Sequence, residues 1–300
     1  MIDISVIIPS YNRVGSIERA INSVLSQDFR GSYEIIVSDD GSTDGTIELV
    51  EDKYKESVIL VRKPDGCKDQ GAAGARNRGI DVSKGNYVCF LDSDDAYEPI
   101  FLTRCYEALS NDEKLGYVFC RVNKCTRATD NSIDVKPWTR ASLSYVDKKY
   151  HVLHRAYCIC TISIMCRRNV LDLVGAFDTT LMNGQDSDMW IRISEVSKGR
   201  FLDFVGATYY IEGFVNNQLT KSSTKEFKRG LSQRIYAKAL ERYNESHCKD
   251  GLRLLIIKMN IMSFEESCIG NPKLRRLIIL FRLFFRQPIS VLQYIFGAIA

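Results

Sequence analysis

Along the first hundred residues one pattern repeats: a short apolar run, a polar turn, then apolar residues at helical spacing. Ile4–Ile8 predicts a strand stopped by Pro9. Val14, Ile17, Ile21, Val24 and Leu25 then predict a helix. Glu34–Val37 predicts a second strand, running into Ser38-Asp-Asp-Gly-Ser-Thr-Asp-Gly45 and a helix over Thr46–Tyr54. Val58–Val61 predicts a third strand, Gly74–Val82 a helix, and Tyr87–Leu91 a fourth strand ending at Asp92. This alternation argues for βαβ units in a mostly parallel sheet with helices on both faces.

After Pro99 the rhythm loosens. Ile100–Leu109 predicts a helix, Tyr117–Arg121 and Cys158–Cys166 predict strands, and Asn169–Leu173 a short helix; Thr126–Tyr150 has no assignable pattern. From Glu226 onward the pattern is helical, over Phe227–Leu240, Leu252–Ser263 and Lys273–Phe285. In that last stretch Arg275, Arg282 and Arg286 share one sector and Leu277, Ile278, Phe281 and Phe285 another. Pro288 then opens a second apolar piece, Ile289–Ala300. The arginines break what a membrane span of about 20 uncharged residues requires. A basic amphipathic tail suits the surface of an anionic membrane, the preferred reading, and also suits a helix packed on the protein.

Composition changes this picture little. With 45% hydrophobic and 26% charged residues the chain is ordinary globular material, and a net charge of +4 does not call for a nucleic-acid partner. The ten cysteines include no Cys-x-x-Cys pair, and Met1–Pro9 has no basic region of a secretory signal, so free thiols in a reducing, cytoplasmic compartment are expected. His151, His154, Cys158 and Cys160 come nearest to a metal cluster. However, Cys158, Cys160 and Cys166 fall on one face of the expected strand, which reads as core.

Chemistry gathers at the strand ends, where ligands of open α/β sheets bind. Pro9-Ser-Tyr-Asn-Arg13, Asp39-Asp-Gly-Ser-Thr-Asp44 and Asp92-Ser-Asp-Asp95 each follow an expected strand. Carboxylates converging there repel one another unless a cation or hydrogen-bond donor enters. A hard divalent cation completed by substrate phosphates fits. Singly the motifs are weak, since Asp-x-Asp occurs by chance and Asp-Gly-Ser-Thr makes ordinary turns. Gly71–Gly79 is neither a dinucleotide fingerprint nor a P-loop.

At these residues, over roughly Ile4–Tyr210, the sequence resembles family 2 glycosyltransferases. The agreement lies in Ser5–Arg13, Val37–Gly45, Ala75-Arg-Asn-Arg-Gly79, Phe90–Asp95, Gly175-Ala-Phe-Asp178 and Gly184–Arg192. The resemblance implies a GT-A fold, an α/β class in which a Rossmann-like nucleotide-binding half (1–97) and an acceptor-binding half (98–225) merge around a mostly parallel sheet. A helical region (226–300) follows. It implies that Pro9, Ser10 and Tyr11 line a nucleobase pocket, that Asp40 accepts from uracil N3–H, and that Arg76 approaches base or diphosphate. Asp92 with Ser93 would face the ribose, Asp94 would bind Mn²⁺ or Mg²⁺, and Asp186 would be the general base. Asp188 is the runner-up, and Gln185 stands where the family more often has Glu.

One base on the face opposite the leaving group implies a single displacement with inversion. The implied activity is transfer from a nucleotide-diphosphate sugar, expected to be a UDP-sugar, to a saccharide acceptor expected to be lipid-linked, at the inner face of the cell membrane. Rivals are a nucleotidyltransferase, whose basic Gly-rich loop is missing around Pro9–Gly15, and a non-catalytic sugar-nucleotide or membrane-binding module, which needs no base. Trp190 reads either as core, which is preferred, or as a platform for the acceptor sugar.

Overall fold

The computed structural model of the protein describes residues 2–127, 133–137, 159–181 and 183–212, together with 235, 237, 238, 241 and 242. The chain divides into two compact units, Met1–Ser223 and Thr224–Ala300. In the second, the described residues 235, 237, 238, 241 and 242 are helical. His151, His154, Cys158 and the tail from Lys273 lie outside the described residues.

In the first unit the alternation read from the sequence builds strand β1 (Ile4–Ser10), helix α1 (Ile17–Leu25), β2 (Tyr33–Asp39), α2 (Thr46–Tyr54), β3 (Val58–Arg62), α3 (Gly71–Val82) and β4 (Tyr87–Phe90). The strands pair in parallel in the order β3-β2-β1-β4. β1 is buried along its whole length because both faces are covered. Ile4, Val6 and Ile8 join the core under α1, while Ile7 meets α3 on the other face. That contact needs glycine: a Cβ at Gly79 would lie 2.5 Å from Ile7 Cγ2.

Pro9 does not stop β1, contrary to expectation. Ile7 O accepts from Leu91 N and Ser10 O from Asp40 N, so alternate residues address β4 and β2. Pro9 shares the parity of Ile7 and turns its missing N–H toward β4, whose pairing with β1 has already ended at Ile7.

The remaining elements of this unit are β5 (Ala96–Tyr97), α4 (Phe101–Ser110), β6 (Leu115–Arg127), β7 (Ile133–Pro137), β8 (Ile164–Arg167), α5 (Arg168–Val174), α6 (Gln185–Val196) and β9 (Lys198–Glu212). They extend the sheet in the order β4-β8-β6-β9-β5, with β7 on β6. The sheet is parallel through β4 and mixed beyond it, since β8 is antiparallel to both neighbours while β9 runs parallel to β6. The expected strand over Cys158–Cys166 is corrected: Thr161–Ser163 is a 3₁₀ turn and the strand begins at Ile164. The turn breaks the period-2 reading between Cys160 and Cys166. The seven cysteines among the described residues are free thiols, five of them buried.

Candidate active site

Because β2, β1 and β4 are parallel neighbours, the three polar strand ends meet on one rim. The loops after β1 and β2 are stitched together there. Asn12 N donates to Ser42 Oγ (2.8 Å), Thr43 N to Asn12 Oδ1 (2.9 Å), Arg13 N to Thr46 Oγ1 (2.8 Å) and Val14 N to Asp44 Oδ2 (3.0 Å). Asn12 sits at φ 52°, a left-handed conformation that asparagine tolerates better than most residues. Tyr11 stands 55% exposed over this crevice, with Pro9 and Ser10 buried below it.

The Asp39–Asp40 pair divides its labour. Asp39 is fully buried and holds the turn, accepting from Gly41 N (2.9 Å), Ser42 N (2.7 Å) and Ser42 Oγ (2.5 Å). Asp40 accepts from Gly71 N (2.6 Å) and Arg78 (2.7 Å), with Lys63 at 3.7 Å. A carboxylate offers about four lone-pair sites, so Asp40 keeps room for one more donor.

At the end of β4, Asp92 is paired with the buried Arg76 at 2.6 Å. Ser93 is buried, and Asp94 faces Arg13 at 3.8 Å. Burial, and after it the charge of Asp92, pushes the Asp94 carboxyl above the ordinary carboxylate range, with Arg13 countering in part. Asp95 is fully buried; burial and then Asp92 and Asp94 push it well up. Asp95 Oδ1 accepts from Tyr210 N at 2.9 Å, while Oδ2 has no hydrogen-bond partner among the described residues. Arg19 braces this loop from α1, donating to Asp94 O at 2.6 Å while its guanidinium lies 4.0 Å over the Tyr210 ring.

The second carboxylate comes from α6. Gly184, at φ 75°, lets the chain turn into that helix, and Asp186 and Asp188 occupy the first turn, where the helix dipole favours negative charge. Asp186 Oδ1 accepts from Ser187 N at 2.7 Å, and Oδ2 faces Thr161 Oγ1 at 3.4 Å. Asp188 is 2% exposed and bonded to Arg192 Nε at 2.8 Å, a structural position that leaves Asp186 as the accessible member. The Cys160 thiol is pushed well up by burial. Asp186 faces the Thr161–Ser163 turn that leads into β8, and β8 pairs antiparallel with β4, so this turn lies toward the β4 end that precedes Asp92. Trp190 is fully buried against Phe90 and Phe177, in agreement with its reading as core.

Pro9, Ser10, Tyr11, Asp40, Asp92, Ser93 and Asp94 thus share the rim of β2, β1 and β4, Asp186 faces Thr161, and Asp188 is buried against Arg192. Arg13, Arg19 and Thr161 also contact these residues and had no assigned role in the sequence, while Cys160, read there as core, precedes Thr161. Arg13 closes the first motif, but Arg19 and Thr161 sit within apolar patterns that give no functional signal.

Among the described residues no three His, Cys, Asp or Glu side chains are grouped as a metal site. A divalent cation here would take Asp94 from the protein and most of its shell from phosphates and water. Hard oxygen-loving cations such as Mg²⁺ bind nucleotides in that way. The mutually repelling carboxylates of Asp94 and Asp95, the latter with one oxygen unpartnered, fit a cationic visitor.

Residues 5–174 match the model of glycosyl transferase family 2. Chondroitin synthase from Pasteurella multocida (strain Pm70) is 29% identical over 205 residues, covering 67% of this chain and 20% of its own. The Escherichia coli UDP-Glc:alpha-D-GlcNAc-diphosphoundecaprenol beta-1,3-glucosyltransferase WfaP is 46% identical over 92 residues, covering 31% of this chain and 35% of its own. The first curated relatives are thus matched over 19% to 60% of their length. Among solved structures, Staphylococcus aureus TarS 1–349 in complex with UDP-GlcNAc superposes with a TM-score of 0.64 at 19% identity, over 90% of this chain and 74% of that one. The Pyrobaculum calidifontis mannosyltransferase PcManGT in complex with GDP-Man and Mn²⁺ gives 0.58 at 18% identity, over 95% and 81%.

Proposed function

As the chain belongs to glycosyl transferase family 2, we propose that it transfers a sugar, with inversion, from a UDP-sugar to a hydroxyl of a saccharide acceptor. The observation that carries this reading is that Asp186 faces Thr161, in the turn that leads into β8, and β8 pairs with β4 just before the Asp92–Asp95 loop. It gives a nucleotide crevice a second, separately mounted carboxylate. Tyr11 and the buried Pro9 and Ser10 line the base end, with the remaining acceptor site of Asp40 turned to N3–H. Arg76 holds Asp92 toward the ribose beside Ser93. Asp94 would hold a Mn²⁺ or Mg²⁺, which would supply charge stabilisation to the departing diphosphate. Asp186 removes the proton of the acceptor hydroxyl as its oxygen attacks the anomeric carbon opposite the leaving group. Thr161 steadies that carboxylate from the side.

A panel of nucleotide sugars, each with Mn²⁺, tests this by thermal shift and product analysis. Ligand at about 100 times its Kd stabilises by about 2.7 kcal/mol. That raises Tm by several degrees in a protein of this size. A UDP-sugar should shift Tm and release UDP in an EDTA-sensitive way. Pyrophosphate as the product would make the protein a nucleotidyltransferase, and binding without turnover under any acceptor would make it a binding module.

The acceptor is lipid-linked in this reading, which draws on the diphosphoundecaprenol acceptor that the name of the E. coli relative specifies for that enzyme. Residues 273–300 then dock the protein on an anionic inner leaflet, in the setting of cell-surface polysaccharide assembly, through the arginine sector and apolar face read from the sequence. Among the described residues no helix is long and apolar enough to cross a membrane. Each basic residue near such a surface adds about 1 kcal/mol. The full chain should co-sediment with anionic liposomes more strongly than a chain ending at Asn271; equal binding by both would remove the tail from the proposal.

A further inference from the structure

Three of the motifs that mark this chain lie far apart in sequence: the stretch around Arg76, the Gly175–Asp178 turn and the start of α6. The structure joins them at one residue. Asn77 Nδ2 donates to Phe177 O at 2.9 Å, and Asn77 Oδ1 accepts from Phe177 N at 2.8 Å. A side-chain amide thus engages both main-chain groups of a residue one hundred positions away, as a neighbouring strand would. Only a group that donates and accepts at once can do this, so neither Asp nor Leu substitutes for it.

The Phe177 ring is as firmly placed as its backbone. It is 2% exposed and lies 5.6 Å under the Arg76 guanidinium, the same guanidinium that pairs with Asp92. Its edge meets Phe90 of β4 at 5.3 Å between centroids and Trp190 of α6 at 5.9 Å. From the other side Arg192, also on α6, donates to Val174 O (2.7 Å) and Ala176 O (2.9 Å) while paired to Asp188. The segment Val174–Phe177 is therefore gripped by α3 through Asn77 and Arg76, and by α6 through Arg192 and Trp190. Each side carries one half of the candidate chemistry: Arg76 leads to Asp92, and α6 begins with Asp186.

We propose that Asn77 is a positioning residue, whose two-sided bond to the Phe177 main chain sets where α6 holds Asp186 relative to the Asp92–Asp95 loop. The inference rests on the glycosyl-transfer reading for its catalytic consequence and on geometry alone for the joint. Asn77 touches neither donor nor acceptor in this scheme. Loosening it shifts the base without emptying the nucleotide crevice, and displacement by about 1 Å can cost about 10²-fold in rate.

The test is Asn77→Ala, a change α3 tolerates because alanine is the best helix former. Transfer kcat should fall ten- to a hundredfold while the KM for donor and the affinity for UDP stay within about twofold. In an Asp186→Asn background the same change should cost less than about threefold, because a residue acting through Asp186 has nothing left to position. Equal losses in both backgrounds, or a matching loss of UDP affinity, would overturn the proposal. Hydrogen exchange in Asn77→Ala provides a readout needing no substrate. Faster exchange at the Phe177 amide and along 185–196, with β1 and β2 unchanged, supports the joint; unchanged exchange there overturns it. A wild-type protein that transfers nothing would sink the functional reading and leave the exchange result to decide the joint. Should Asn77→Ala fail to fold, Arg192→Lys releases the same segment from the α6 side. It should give the same split between kcat and donor KM, and a loss of UDP affinity in that variant would overturn the proposal.

Discussion

On the proposed function, Asp94→Ala should leave no measurable transfer at any practical Mn²⁺ concentration. When the anomeric C–O bond breaks, the nucleoside diphosphate departs with growing negative charge, and this rim already carries Asp92, Asp94 and Asp95. Without a cation the leaving group would separate beside this cluster of carboxyl groups, with Arg76 and Arg13 paired to two of them. Asp94 is the member placed to hold one: Asp92 is engaged by Arg76, and Asp95 is buried and bonded to Tyr210 N. Arg13, 3.8 Å from Asp94, supplies one positive charge, and a divalent cation held on Asp94 would add to it. Since few protein ligands gather here, Mn²⁺ alone should stabilise the protein little, and Mn²⁺ with UDP together should do so strongly. Asp94→Asn should lose that joint thermal shift along with activity. Near wild-type kcat in Asp94→Asn would remove the residue from the metal site.

Asp186→Asn should keep UDP and donor affinity while kcat drops by about 10²–10⁴-fold, the range a positioned general base commonly contributes. The amide preserves shape and can still contact Ser187 N and Thr161, so the start of α6 should survive. Asp188→Asn is the informative partner. It weakens the hold on Arg192, which ties α6 to the carbonyls of Val174 and Ala176, so its expected signature is a lower Tm with a smaller catalytic effect. Loss of donor affinity in Asp186→Asn with kcat unchanged would move the residue into the donor site. A catalytic loss confined to Asp188→Asn would shift the base by two residues.

The first four strands and the helices between them could be read from the chain almost element by element, since everything that specifies a βαβ unit is local. The apolar runs that become β1 to β4, the helical spacing of α1 and the full Thr46–Tyr54 extent of α2 are set by periods of two and 3.6 and by turn residues between them. Parallel neighbours then bring their ends together without further instruction, which is why the Pro9, Asp39 and Asp92 clusters were legible as one site. The other features depend on contacts between distant segments. β9 escaped notice because Gly199, Gly206 and charged residues interrupt it, and its register with β6 shifts around Arg121, which spoils alternation. Pro9 stays in β1 only because β4 has already left that edge. The family resemblance already preferred Asp186 to Asp188; what a helix pattern cannot orient is the Arg192 side chain that engages Asp188. The bond from Asn77 to Phe177 spans one hundred residues, and no local periodicity encodes a contact at that range. Such contacts form when the sheet and its two sets of helices close on each other, and there the sequence contributes the donor and acceptor while packing chooses the partner.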